Sequence, residues 1–184
     1  MKRRILLLAA VLAMALAACS SSDGGTNFQF KYATKLGTLI APDSRKPAQN
    51  ISGDTLDGAP TSLRDRKGKV VVLNFWAYWC APCRVETPQL QQVYQSMHGK
   101  GVDFLGVDTK DVRSNARSFV AQNHVTYPSI FDQNGESALK LGNIPGNLPF
   151  SVLIDKQGRV AAVYLSKLTA VDLEKPLNTL LAER

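Results

Sequence analysis

The stretch FWAYWCAPCRVETP, residues 75 to 88, sets two cysteines two residues apart where a strand-like run gives way to a helix-like one. Before the cysteines, VVVLNFWA is a continuous apolar run rich in β-branched and aromatic residues, the pattern of a central strand buried on both faces. After them, Leu90, Val93, Tyr94 and Met97 recur at i, i+3, i+4 and i+7, so a helix begins at the cysteine motif. Cys80 therefore stands at a helix N-terminus, where free N–H groups and the helix dipole favour thiolate over thiol. An unperturbed thiol, with a pKa of about 8.5, is only a few per cent ionised near neutrality, whereas such motifs lower it to roughly 3.5 to 7. Cys83, one turn inward, is placed to attack a mixed disulfide on Cys80 and release the product. Cys80 is thus the expected nucleophile and Cys83 the resolving thiol, with Trp76, Trp79 and Pro82 around them as a contact surface for substrate.

Two other readings of the pair stay open. A static disulfide is common in exported proteins, although so small a loop constrains the unfolded chain little. A zinc site would recruit His98 and then Asp103, but no histidine follows at the required spacing. His124, in QNHVTYP, reads as part of a loop or a helix end.

Working outward, HGKG ends the helix and VDFLGVD reads as a second buried strand. Residues 112 to 123 read as helix, YPSIFD as a short strand and ESALKLG as a short helix. FSVLID, the turn KQGR and VAAVYLS form a hairpin, followed by a last helix over about residues 170 to 183. On the N-terminal side, AQNISGDTLDGAPTSL carries a hairpin signal at Asp57-Gly58 with Leu56 and Leu63 inward, and residues 28 to 49 show no clear period. Strands alternating with helices argue for one α/β domain with a mixed central sheet flanked by helices and an N-terminal β-hairpin extension.

The first segment, MKRRILLLAAVLAMALAAC, has a basic start, an apolar run and small residues before Cys19, the layout of an export signal. Its apolar run is short of the about 20 residues of a membrane span. The formal charge of +7 falls to 7 − 3 = +4 without Lys2, Arg3 and Arg4, and the remaining charges are interspersed as in SLRDRKGK. No nucleic-acid partner is inferred from them. The expected division is 1–18 signal peptide, 19–49 tether and irregular lead-in including the Gly- and Ser-rich SSSDGGTN, and 50–184 the folded domain.

LAAC resembles the lipobox of bacterial lipoproteins, in which the cysteine is lipidated; that assigns Cys19 to a membrane anchor and leaves one pair from three cysteines. WCAPC after a buried strand, Pro88 five residues past Cys83, and NLPFSVLID resemble the thioredoxin superfamily. Within it, GKVVVLNFWA, LIDKQGRV, the hairpin and the lipobox are similar to the membrane-tethered TlpA and ResA-like thiol-disulfide oxidoreductases. The resemblance covers about residues 50 to 184 and implies a thioredoxin-like fold.

It also implies a cis proline facing the cysteines, with Pro149 the candidate over Pro128 and Pro145, and Leu148 beside it in the substrate platform. Where thioredoxin has a buried carboxylate, six residues before the first cysteine, this chain has Asn74. ResA-like proteins have instead a Glu three residues after the second cysteine, here Glu86, which at i+3 from Cys83 is placed to take that thiol's proton. Its bland alternative is an exposed first-turn Glu.

The activity implied is thiol-disulfide exchange with exported proteins at the outer face of a membrane, by a lipid-anchored monomer. Cys80–Cys83 is the redox-active disulfide; no bound cofactor and no metal are expected. The reductive direction would serve substrates such as the haem-attachment cysteines of apocytochrome c, with electrons from a membrane thiol donor. The rivals are an oxidase that introduces disulfides and a lipoprotein binding module with an inert disulfide. Family potentials span roughly −270 to −120 mV, and nothing in CAPC decides between directions.

Overall fold

The computed structural model describes residues 33–142 and 147–183. The export segment 1–18, Cys19, the tether up to residue 32 and Pro145 lie outside the described residues. The strands are β1 Ser52–Asp54, β2 Pro60–Ser62, β3 Val70–Trp76, β4 Val102–Thr109, β5 Ser129–Asp132, β6 Phe150–Ile154 and β7 Val160–Tyr164. The α-helices are α1 Ala81–Met97, α2 Arg113–Gln122, α3 Glu136–Leu139 and α4 Ala170–Ala182.

β5 to β7 flank β3 and β4 in the order β5-β4-β3-β6-β7, so the apolar run before the cysteines is the centre of a five-stranded sheet. β3 pairs with β4 in parallel and with β6 antiparallel, and all seven of its residues are buried. Because side chains alternate across a strand, β3 feeds two cores. Val70 and Val72 meet Leu90, Val93 and Met97 of α1 and Leu173, Leu177 and Leu180 of α4. Val71, Leu73 and Phe75 meet Ile51, Leu63 and Leu141 on the other face.

α1 passes into a 3-10 turn, His98–Lys100, which ends where Gly101 takes φ +94°, a left-handed conformation that favours glycine after a helix. Inside α1, Pro88 lacks the N–H that would have paired with the carbonyl of Arg84. α2 ends before His124, whose φ of +51° places it in the turn after the helix.

β1 and β2 form the expected hairpin, with Leu56 and Leu63 buried. It lies against β5: Thr55 bridges Ile130, and Leu56 N donates to Ser129 O. The lead-in from residue 33 has one 3-10 turn, Pro42–Ser44, and otherwise follows β7, with Ile40 N donating to Ala161 O and Val160 N donating to Lys46 O. It covers an edge strand that would otherwise present unpaired backbone groups.

Candidate active site

β3 runs out at Trp76, and Ala77, Tyr78 and Trp79 turn the chain so that Cys80 becomes the N-cap of α1. The Cys83 N–H donates to Cys80 Sγ at 3.2 Å, which places one of the free N–H groups of the helix on that sulfur. Cys80 and Cys83 form a disulfide with Cα atoms 5.3 Å apart. Both sulfurs sit in a cluster with Trp76, Ala116 and Phe119, Cys83 being 0% and Cys80 4% exposed. Cys80 is thus the slightly more exposed sulfur of the pair. Pro82 is exposed in the first turn.

The Leu148–Pro149 peptide is cis and immediately precedes β6. Phe150 is registered against Phe75, their rings stacked 4.2 Å apart, which sets Pro149 at the end of the sheet where β3 delivers the cysteines. Half-buried Leu148 packs against the cluster that contains both sulfurs. Pro149 itself is buried.

Glu86 is 1% exposed, so the alternative of a solvated first-turn Glu does not hold. Its Oε1 accepts from Leu168 N at 2.7 Å and its Oε2 from Asn74 Nδ2 at 3.2 Å. Burial pushes its carboxyl up to about 7, against the two hydrogen bonds that favour the charged form. Asn74, at the position that distinguishes this chain from thioredoxin, also donates to Ser151 Oγ at 3.0 Å. Its Oδ1 is buried with no partner among the described residues.

Trp76 requires a correction. It is 3% exposed, with its ring on Phe119 and Nε1 donating to Ser129 Oγ at 3.3 Å, and so belongs to the core beneath the cysteines rather than to a substrate surface. Gly106 makes room for that bond, because a Cβ there would stand 2.1 Å from Ser129 Oγ and 3.1 Å from Trp76 Nε1. Trp79, by contrast, is 59% exposed, and its Nε1 donates to Lys110 O at 2.9 Å. Two tryptophans three residues apart differ because β3 ends between them: Trp76 is its last inward residue, whereas Trp79 rides on the turn.

His98 and Asp103 are not brought to the cysteines. His98 Nδ1 lies 3.5 Å from Asp103 Oδ1 at the opposite end of the sheet, where Asp103 also meets Lys69. Sequence reasoning missed Asp108 and Asp111, which follow one another around the end of β4. Asp108 is fully buried, and both its carboxyl oxygens lack a partner among the described residues. Burial first, and the charge of Asp111 second, push it up to about 9. The signal was present in VDFLGVDTKD, a buried strand that ends in two acids, but a strand's last residues are ordinarily solvated.

A central strand that delivers a CxxC pair to a helix N-terminus, opposite a cis proline, defines the thioredoxin-like thiol-disulfide oxidoreductases as a class. The particular family follows from residues 41–180, which match the model described as Redoxin; the chain belongs to that family. It is similar to the thiol-disulfide oxidoreductase ResA of Bacillus cereus, 33% identical over 178 residues, 97% of this chain and 98% of that protein. Among solved structures, a secreted thiol-disulfide isomerase from Corynebacterium glutamicum superimposes with a TM-score of 0.79 at 35% identity, covering 85% of this chain and 98% of that one. A DsbF homologue from Corynebacterium diphtheriae gives 0.75 at 37% identity, covering 82% and 99%. The chain is a TlpA/ResA-like thiol-disulfide oxidoreductase.

Proposed function

We propose that this enzyme reduces disulfides of exported proteins at the outer face of a membrane, anchored through a lipidated Cys19. In the reduced enzyme, the Cys80 thiolate attacks one sulfur of a substrate disulfide, forming a mixed disulfide and expelling a substrate thiolate. Cys83 gives its proton to Glu86 and attacks Cys80 Sγ, so the second substrate sulfur leaves with the electron pair of the broken bond. The substrate gains two electrons and the enzyme is left with the Cys80–Cys83 disulfide, which a membrane thiol donor reduces again. The pair carries these electrons itself, and no bound cofactor is proposed. Trp79, Pro82, Leu148 and the cis Pro149 form the platform on which the substrate chain lies.

The observation that carries this reading is Glu86, a buried carboxyl poised at about 7 and one helical turn from the resolving cysteine. The similarity to ResA supports a substrate such as the haem-attachment cysteines of apocytochrome c. The similarity to a secreted isomerase, with the layout of residues 1–18, supports the extracytoplasmic location. No helix among the described residues is long and apolar enough to cross a membrane; the LAAC sequence supports attachment through Cys19.

The second reading is an oxidase that introduces disulfides by the reverse steps. It is favoured by the Cys83 N–H on Cys80 Sγ, because stabilising the thiolate stabilises the reduced form and makes the pair more oxidising. The equilibrium reduction potential of the pair in a glutathione or dithiothreitol series separates the two. A value at or below about −230 mV supports the reductase, and one near −120 mV overturns it.

A further inference from the structure

The turn that presents Trp79 is held by a different part of the chain, the corner Lys110-Asp111 between β4 and α2. Asp111 uses its two carboxylate oxygens on two segments. Oδ2 accepts the backbone N–H of Tyr78, and Oδ1 accepts that of Val112 at 2.6 Å. Next to it, Lys110 O accepts from Trp79 Nε1 at 2.9 Å. Tyr78, Trp79 and Val112, respectively 38%, 59% and 58% exposed, are thereby gathered around a carboxylate that is itself buried.

The corner is braced from behind. Lys110 adopts φ +54°, uncommon for a residue with a side chain, and its N–H donates to Asp132 O at 3.1 Å. Asp132 in turn accepts the N–H groups of Glu136 and Ser137 at the start of α3. Gly135 leaves the space that the Lys110 side chain occupies, since a Cβ there would stand 2.6 Å from Lys110 Cε. Such a corner has little freedom to follow the turn if the turn shifts. A carboxylate accepting two N–H groups is a strong, directional clamp because each bond is charge-assisted.

We infer that Asp111 is a positioning residue that fixes the Tyr78–Trp79 turn and joins Trp79 and Val112 into one apolar ledge, on which a protein substrate rests an apolar side chain neighbouring its cysteine. This rests on the reading of Trp79 as part of the substrate platform. A small disulfide carries no neighbouring side chain to rest on the ledge, so the clamp matters for polypeptides and little for small molecules. The charged groups facing the neighbouring Asp108 are Asp111 itself, Arg113 on α2 and Asp132 on β5. Burial, and after it the charge of Asp111, favour the protonated form of Asp108.

The test uses the full chain with insulin and with oxidised glutathione as alternative substrates. Asp111→Ala is expected to raise KM for insulin about tenfold with kcat little changed, while the rate with glutathione falls by no more than about twofold. Asp111→Asn, whose amide oxygen can still accept the Tyr78 N–H, is expected to restore most of the insulin KM; Asp108→Asn, uncharged like the acid it replaces, is expected to act as wild type on both substrates. A folded Asp111→Ala with the wild-type insulin KM, or with equal losses on both substrates, overturns the inference.

Amide exchange in the unsubstituted chain gives a second measure, which decides the matter even where the alanine variant does not fold. The Tyr78 amide is expected to exchange more slowly than that of Trp79, and equal rates overturn the clamp. Trp79→Ala separates the underlying reading: if it leaves the insulin KM unchanged, the platform assignment falls. If it raises KM and Asp111→Ala does not, the clamp alone falls.

Discussion

At the end of the sheet where β6 meets β7, Asp155 is buried against Arg45 at 3.2 Å and Arg159 at 2.8 Å, and Arg45 reaches on to both oxygens of Glu183. At the end that carries Cys80, Glu86 and Asp108 are as deeply buried, yet neither is in ion-pair contact with a cation among the described residues. The first arrangement fixes structure: Arg45 ties the lead-in to the β6–β7 turn and to the end of α4, and Glu183 is held below the usual carboxylate range by its hydrogen bonds to that guanidinium. The second leaves carboxyls raised to about 7 for Glu86 and about 9 for Asp108, because no cation offsets the desolvation of the anion. Compensated charge anchors a fold, and a buried carboxyl without a cation is pushed toward its protonated form.

Removing the cation is the hardest blow to this contrast. Arg45→Ala leaves Asp155 buried with only Arg159 beside it, and breaking a buried pair costs about 3–5 kcal/mol. The midpoint of urea denaturation should fall accordingly, while the Cys80/Cys83 reduction potential of the folded fraction stays as it was. A loss under about 1 kcal/mol would mean that Arg45 is held no more tightly than a surface pair and would erase the difference between the ends.

Next in size is Asp108→Asn. With its folded value raised to about 9, Asp108 keeps a proton that the unfolded chain, with an ordinary value of about 3.9, gives up. Between those values the folded state binds more protons, so stability falls as pH rises, by up to about 1.4 kcal/mol per pH unit, and this contribution is gone above the folded value. Melting temperatures taken from pH 5 to 8 should decline more steeply in the wild type than in the variant, which has no carboxyl there to titrate. Parallel curves would show that Asp108 finds compensation at this end after all.

The contrast also explains what could be read from the sequence. β3, α1 and the cysteine turn announce themselves through periodicity, because a strand buried on both faces and a helix buried on one leave fixed spacings of apolar residues. The lead-in leaves none: it is held by backbone bonds to β7 and by one arginine, whose partners Asp155 and Glu183 lie 110 and 138 residues away. Trp76 was misread for a related reason. Alternation gives its parity in β3, but the ring that covers it, Phe119, comes from α2. Glu86 was legible only through its spacing from Cys83, and its burial depends on Asn74 and on Leu168 from beyond β7.

The smaller effects sharpen the proton-moving end. Glu86→Gln should remove the inflection near pH 7 from the rate of exchange and slow it at pH 8 by roughly tenfold, less than the roughly 10²–10⁴-fold of a positioned base because Cys83 can also lose its proton to water. Asn74→Ala should do something different and smaller. The amide of Asn74 favours the charged form of Glu86, so deleting it raises the carboxyl further, and the inflection moves to higher pH instead of vanishing. At pH 7 both variants exchange more slowly than the wild type, but Asn74→Ala recovers as pH rises and Glu86→Gln does not. That recovery separates a proton acceptor tuned by its neighbour from a carboxyl that merely fills space. If the Asn74→Ala profile lies on that of the wild type, Asn74 holds Ser151 and the strand in place and has no part in setting when Glu86 takes the proton.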